Sequence, residues 1–147
     1  MMIARISTHL DASAELAWRA VKKIDTLRYV ARGLLGFAGD GVPDEARAGD
    51  AFRVRLMLFN VLPGWTHEMR IVRVDEEKRE VYSNERGGIV RAWNHLIRIE
   101  PESESRCRYS DEIEIDAGPM TPLVWAYAHV FYRYRQMRWR RLARSLS

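Results

Sequence analysis

Gly87-Gly88-Ile89-Val90-Arg91-Ala92-Trp93-Asn94-His95-Leu96-Ile97-Arg98-Ile99-Glu100-Pro101, followed after a short break by Tyr109-Ser110-Asp111-Glu112-Ile113-Glu114-Ile115, is the stretch that decides the fold. At period two it reads as a β-hairpin that sets a histidine and an aspartate side by side on one face. The chain then enters a long helix, Pro122 to about Arg144, dense in aromatic residues and arginine. A sheet with a buried polar spot, closed by a terminal helix, is the frame of a ligand cavity.

Upstream of the hairpin the same alternation continues. Phe52, Val54, Leu56 and Leu58 share one face, and Leu62-Pro63-Gly64-Trp65 reads as a tight turn. Trp65 to Val74 returns, residues 75–78 turn again, and Arg79 to Arg86 leads to the Gly87-Gly88 reversal. Ile89–Glu100 and Arg106–Ala117 complete the meander. Near the start, Ile3 to Leu10 reads as a strand. Leu16, Ala17, Ala20, Val21 and Ile24 then recur at helical spacing, and a shorter helix runs from Thr26 to Ala31. Gly33, Gly36, Gly39 and Gly41 break regularity and leave room for one short strand. They lack the Gly-Lys-Ser/Thr ending of a phosphate loop. Successive strands with helices near both ends predict an α+β fold.

Centring each turn pairs the strands arithmetically. Leu56 then faces Ile71 and Leu58 faces Met69. Ile71 faces Tyr82 and Arg73 faces Glu80. Tyr82 faces Trp93 and Glu80 faces His95. Trp93 faces Ile113, His95 faces Asp111 and Ile97 faces Tyr109. Two rows result on one concave face: an apolar, aromatic one (Leu56, Ile71, Tyr82, Trp93, Ile113) and a polar one (Val54, Arg73, Glu80, His95, Asp111). In a structural reading the polar groups merely satisfy one another, His95 with Asp111 and Arg73 with Glu80. In a functional reading Asp111 orients His95 as general base or ligand anchor. Leu56, Met69, Ile71, Arg73, Glu80, Tyr82, Trp93, Tyr109 and Ile113 become candidate ligand contacts on the sheet, with Tyr127 and Phe131 on the helix. His95 and Asp111 are the candidate catalytic pair. The helix is expected to pack through Leu123, Tyr127, Val130, Phe131, Tyr134, Met137 and Leu142, leaving Trp125, His129 and Trp139 for an opening or a dimer contact. His67 is placed to reach the cavity mouth.

Bulk properties narrow the field. The 147 residues read as one domain, with 47% apolar and 30% charged residues, an ordinary balance for a soluble globular protein. The longest nearly apolar run, residues 123–132, contains a histidine and is far short of a membrane span. No signal peptide is apparent, and the single Cys107 fits a reducing compartment, so a cytoplasmic location is expected. Cys107 sits mid-strand without a nucleophile motif and reads as a small buried hydrophobe. His9, His67, His95 and His129 are too scattered for a metal site, and no Ser/His/Asp or Gly-x-Ser-x-Gly pattern is present. No metal or cofactor is expected. Arg133, Arg135, Arg138, Arg140, Arg141 and Arg144 crowd the last helix. They read first as a solvated face, partly balanced by Glu112, Glu114 and Asp116, and second as a surface for RNA or anionic membrane.

The order strand, two helices, meander and long C-terminal helix resembles the START-like helix-grip superfamily. This group is also called SRPBCC, and includes the polyketide cyclase/dehydrase and birch-allergen-like proteins. Gly88 followed by Trp93-x-His95, then Tyr109-x-Asp111, and Phe131-Tyr132-Arg133 with Arg135 look like one bacterial branch. The opening from Ile6 to Trp18 is similar to the superfamily's start. The resemblance implies six or seven antiparallel strands gripping the last helix over a cavity for a hydrophobic or aromatic molecule. Its members include lipid carriers, hormone receptors, aromatase/cyclases and coenzyme Q-binding proteins. Three functions follow, in this order: binding or transport of a small hydrophobic ligand; a cyclase, dehydratase or hydrolase using His95 with Asp111; and an interaction module built on the arginine-rich helix. A homodimer is compatible with any of them.

Overall fold

A computed structural model describes residues 1–39, 41–59 and 61–146, apart from the side chains of Leu58 and Pro63. Strand β1 (Met2–Leu10) leads into α1 (Ala14–Val21) and α2 (Ile24–Ala31), then β2 (Leu35–Ala38). The meander β3 (Ala51–Leu58), β4 (Leu62–Asp75), β5 (Glu80–Gly87), β6 (Val90–Ser103) and β7 (Arg106–Asp116) follows. A 3-10 turn, Gly118–Met120, then enters the 26-residue α3 (Thr121–Leu146). The seven strands form one antiparallel sheet in the order β1-β7-β6-β5-β4-β3-β2. The chain's first strand thus pairs with its last. The architecture is α+β, with the sheet curled around α3 as the alternation and the resemblance both imply.

Local chemistry sets the boundaries. Ser13 caps α1 by accepting from the Leu16 amide at 3.2 Å, with Glu15 in the first turn and Arg19 in the last. Asp75 closes the β4–β5 turn by accepting from the amides of Glu77 and Lys78. Glu76 in that turn accepts from the Trp18 indole at 2.6 Å and from Lys22 at 2.9 Å, which ties α1 to the meander.

Register is where the sequence reading and the structure part. The turn expected at residues 62–65 is instead the start of β4, since Leu58 pairs with Leu62 and Val54 with His67. The inward position expected for the Leu58 side chain lies outside the described residues. Ile71 pairs with Ser83 and Arg73 with Tyr82, across a bulge between Ile71 and Arg73. Ser83, not Glu80, lies opposite His95, and Glu85, not Tyr82, lies opposite Trp93. His95 lies opposite Ile113, and Trp93 opposite Ile115.

An even slip leaves side chains on their original face; an odd one, or a bulge, turns them over. The β6–β7 slip is by two, so Trp93, His95, Asp111 and Ile113 still face inward together. The β5–β6 slip is by three and turns β5 over. Val81, Ser83 and Glu85 now face the helix, while Glu80 and Tyr82 face away. Arg73 joins them on the outer face through the bulge. There it donates to Glu80 at 3.0 Å and stacks on Tyr82 at 5.5 Å, and Arg98 donates to the same carboxylate at 2.9 Å.

Helix α3 is also turned relative to the expected stripe. It buries Thr121, Ala128, Phe131, Tyr132, Arg135, Gln136, Trp139 and Ala143. Leu123, Tyr127 and Val130 stay exposed. One apolar cluster gathers Leu10, Trp18, Ile99, Tyr109 and Trp139; a second gathers Ala4, Ile113, Ile115, Phe131 and Tyr132. Along β7 the inward series runs Tyr109, Asp111, Ile113, so the aspartate interrupts the core between these clusters.

Candidate functional site

Between the concave sheet, α1–α2 and α3 lies a cavity of about 740 Å³, in the range of small-molecule pockets. Its walls are mostly apolar: Leu56, Met69, Ile71, Val81, Trp93 and Ile97 from the sheet, Leu27 from α2, and Phe131, Tyr132 and Trp139 from α3. Phe59, Trp65, Ile89, Leu123, Tyr127 and Val130 also line it and are exposed, so they form an apolar rim at its opening. Gly87 and Gly88 accommodate that rim. A Cβ on Gly87 would lie 2.7 Å from the Thr66 carbonyl oxygen and 2.9 Å from the Trp65 ring.

The polar part of the wall consists of two histidine–carboxylate pairs and an arginine. His95 Nε2 lies 2.7 Å from Asp111 Oδ1. The Tyr109 hydroxyl donates to the same oxygen at 3.0 Å, and Gln136 Nε2 donates to Oδ2 at 3.0 Å and to the Ile6 carbonyl at 2.8 Å. Gln136 therefore pins α3 to both β1 and β7. Burial pushes the Asp111 carboxyl up, but the hydrogen bond and charge of His95, the field of Arg135 and the Gln136 bond hold it below the ordinary carboxylate range. An ionised carboxylate only accepts, so His95 Nε2 donates to it whether the ring is charged or neutral, and in the neutral ring Nδ1 is the nitrogen left to accept a proton. Tyr132 packs edge-on against the imidazole at 5.0 Å, and the Trp93 indole donates to the Tyr132 hydroxyl at 3.1 Å.

The second pair is one strand away. His67 Nε2 lies 3.0 Å from Glu85 Oε2, and the Ser83 hydroxyl donates to Oε1 at 2.7 Å. Here too burial raises the carboxyl, and the His67 bond, the charges of His67 and His95 and the Ser83 bond lower it further than burial lifts it. Arg135, 4% exposed, lies 4.9 Å over the Tyr132 ring and 5.9 Å over that of Phe131. It has no hydrogen bond or ion pair among the described residues, and its Nε is buried and unpartnered.

Of the residues singled out from sequence, His95, Leu56, Met69, Ile71, Trp93, Tyr127 and Phe131 line the cavity. Asp111, Tyr109 and Ile113 are buried behind its wall, Asp111 touching the cavity only through His95. Arg73, Glu80 and Tyr82 lie on the opposite face of the sheet for the register reasons given above. Glu85, Ser83 and Arg135 join the site without having been selected, and Trp139, expected at an opening, is in the core at 2% exposure. A bulge-aware reading of Gly87 would have found Glu85 and Ser83. Trp125 sits at the surface of the fold's first strand, donating to the Ile3 carbonyl at 2.9 Å.

The other chemistry-bearing residues are quiet. Cys107 is fully buried, and burial pushes its thiol up to about 11, which makes it a poor nucleophile. Of the arginines of α3, Arg133, Arg140, Arg141 and Arg144 are exposed and fall on one face at helical spacing, with Arg140 donating to Thr8; Arg135 points inward, and Arg138 donates to the Tyr29 carbonyl and stacks on its ring. Glu112, expected to balance that helix, pairs with Arg5. Among the described residues no group of three His, Cys, Asp or Glu is placed to hold a metal ion, and no helix is long and apolar enough to cross a membrane.

A curled seven-stranded antiparallel sheet gripping a long C-terminal helix over an apolar cavity is the START-like, or SRPBCC, helix-grip fold. Solved structures agree. A START superfamily protein from Mycobacterium smegmatis superposes with a TM-score of 0.73 at 12% identity, over 99% of both chains. Truncated norcoclaurine synthase from Thalictrum flavum gives 0.64 at 16% identity, over 91% of this chain and 90% of that one. The di-domain ARO/CYC BexL of the BE-7585A biosynthetic pathway gives 0.68 at 15% identity, over 96% of this chain and 46% of that one. The chain belongs to the family described as a domain of unknown function (DUF8410), which matches residues 8–146. No curated protein matches it in sequence.

Proposed function

We infer that the chain is a single ligand-binding domain that holds a small hydrophobic or aromatic molecule in the cavity between sheet and α3. The observation that carries this reading is the cavity of about 740 Å³, apolar along most of its wall and rimmed by exposed apolar side chains. A few convergent polar groups set in an apolar wall are how small-molecule pockets are generally built. Burial of apolar surface supplies affinity, at about 25 cal/mol per Å² removed from water, and the polar groups fix orientation. Leu56, Met69, Ile71, Trp93, Tyr127 and Phe131 are the apolar contacts in this reading, and His95 is the polar one.

The test is direct. The neutral fluorophore N-phenyl-1-naphthylamine should bind saturably at about one per chain, and Ile71→Trp, which fills the wall, should abolish that binding while the fold is retained by circular dichroism. Native mass spectrometry of freshly purified protein should show a retained small molecule. Non-saturable dye binding, or binding indifferent to Ile71→Trp, would remove the reading.

A second function rests on the His95–Asp111 pair. A histidine whose Nε2 proton is held by an ionised, fully bonded aspartate presents Nδ1 as a base, and His95 lines the cavity. In this reading the bound molecule is deprotonated at carbon or oxygen by His95, as a cyclase or dehydratase requires. His95→Gln should then lower kcat at least about a hundredfold with little change in binding, within the usual scale of general-base catalysis. Equal turnover by wild type and variant would eliminate it.

A further inference from the structure

Among the described residues, four buried side-chain nitrogens have no partner: His67 Nδ1, His129 Nε2, Arg135 Nε and Trp139 Nε1. Three of the four belong to residues that line the cavity. Arg135 Nε and Trp139 Nε1 can only donate. They lie four residues apart on α3, and side chains at that spacing share one face of a helix.

Arg135 is the more demanding of the two. A guanidinium that is 96% withdrawn from solvent needs a counter-charge or acceptors, since an unpaired buried cation is strongly destabilising. The nearest carboxylates do not supply them. Asp111 is fully engaged by His95, Tyr109 and Gln136, Glu85 by His67 and Ser83, and neither is within ion-pair distance of Arg135. What holds the cation is the faces of Tyr132 and Phe131, which leave its N–H edge free. Burial opposes its charge, but the fields of Tyr109, Tyr132, Asp111 and Glu85 keep it protonated.

We propose that Arg135, assisted by the Trp139 indole N–H, is the anchor for an anionic oxygen group, so that the cavity selects amphipathic acids: an apolar or aromatic body carrying one carboxylate, phenolate or enolate. This rests on the binding function above and adds to it the charge of the ligand and the residue that reads it. The arginine fork supplies two or more charge-assisted hydrogen bonds to such a group, and the rest of the molecule is left to the apolar wall.

Two fluorophores that share one ring system separate the two claims. 1-Anilinonaphthalene-8-sulfonate is an anion; N-phenyl-1-naphthylamine is the same skeleton without the sulfonate. The quantity read is the ratio of their dissociation constants, neutral over anionic, at one dye per chain. In the wild type the anion should bind at least about tenfold more tightly, the scale of one hydrogen bond to a charged group. Arg135→Met should reduce that ratio about tenfold to a hundredfold, Arg135→Lys should retain part of it, and Trp139→Phe should lower it severalfold. A ratio near one in the wild type, or one unchanged in Arg135→Met, overturns the anion anchor and leaves the hydrophobic-binding reading standing. Failure of the wild type to bind either dye saturably overturns both. If Arg135→Met does not fold, Arg135→Lys and Trp139→Phe decide: a ratio indifferent to both overturns the proposal.

Discussion

Replacing Asp111 by asparagine tests the polar core of the fold with one atom changed. Asp111 is 1% exposed and accepts three hydrogen bonds, from His95 and Tyr109 on Oδ1 and from Gln136 on Oδ2. The asparagine oxygen can take over the first two, but its amide then faces the Gln136 amide, donor against donor. Turning Gln136 over removes that conflict and withdraws its donation to the Ile6 carbonyl. Every arrangement therefore leaves at least one buried polar group unsatisfied, at about 1–3 kcal/mol. The bonds from His95 and Tyr109 also lose charge assistance, about 1 kcal/mol each. The expected loss is about 3–5 kcal/mol, or roughly 10 °C in Tm for a chain of this size. The sign with pH follows from the depressed Asp111 carboxyl: its stabilisation is present above the unfolded value, near pH 4, and is lost as pH falls through the lower folded value. Urea denaturation of wild type and Asp111→Asn from pH 7 to pH 3 should give a gap that narrows in acid. A gap under about 1 kcal/mol at pH 7, or one that widens in acid, would refute the network as drawn.

Two further outcomes follow from the register. Gly87→Ala drives a Cβ to 2.7 Å from the Thr66 carbonyl oxygen and 2.9 Å from both the Trp65 ring and His67 Nδ1. It should destabilise the fold by about 1–3 kcal/mol and weaken N-phenyl-1-naphthylamine binding, as measured by thermal unfolding and dye titration; a neutral result would mean that β4 and β5 are not this close. Glu80→Gln alters a buried carboxylate, 7% exposed, shared by Arg73 and Arg98, whose own side chains are 50% and 45% exposed, so it should cost about 1–3 kcal/mol. Dye affinity should stay within about twofold, and a larger drop would return Glu80 to the cavity side of the sheet.

The fold was legible because its evidence is redundant: strand periodicity, helix periodicity and the order of elements each point to the same sheet and terminal helix. The site was legible only where errors of register were even. His95 and Asp111 were expected opposite one another and are in fact offset by two, and a two-residue offset on one face still brings imidazole and carboxylate to 2.7 Å. The β5 row failed because Gly87 pairs with Val90 across an irregularity, an odd shift that no count of turn residues reveals. The Ile71–Arg73 bulge inverted Arg73 in the same way. The Arg73–Glu80 pairing itself survives at 3.0 Å on the other face, so complementary charges identify partners and do not say which side of the sheet they occupy.

Helix α3 shows why the remainder was hidden. A rule that turns apolar residues inward selects Leu123, Tyr127 and Val130, yet these are 63%, 49% and 65% exposed, while Arg135 and Gln136 are 4% and 2% exposed. Both departures have a local cause. Gln136 is drawn in because Ile6 and Asp111 present acceptors that nothing else on α3 reaches, and Arg135 follows on the adjacent position of the same turn. That rotation swings the upstream apolar residues away from the core and onto the cavity rim. Places where a chain breaks its own pattern are those where something other than packing set the residue. Here the break coincides with the cavity, and the inward cation that pairs with no anion among the described residues is the largest departure of all. The helix is therefore oriented by its polar residues, Gln136 by its bonds to Ile6 and Asp111, and the same rotation brings Arg135 to the cavity wall.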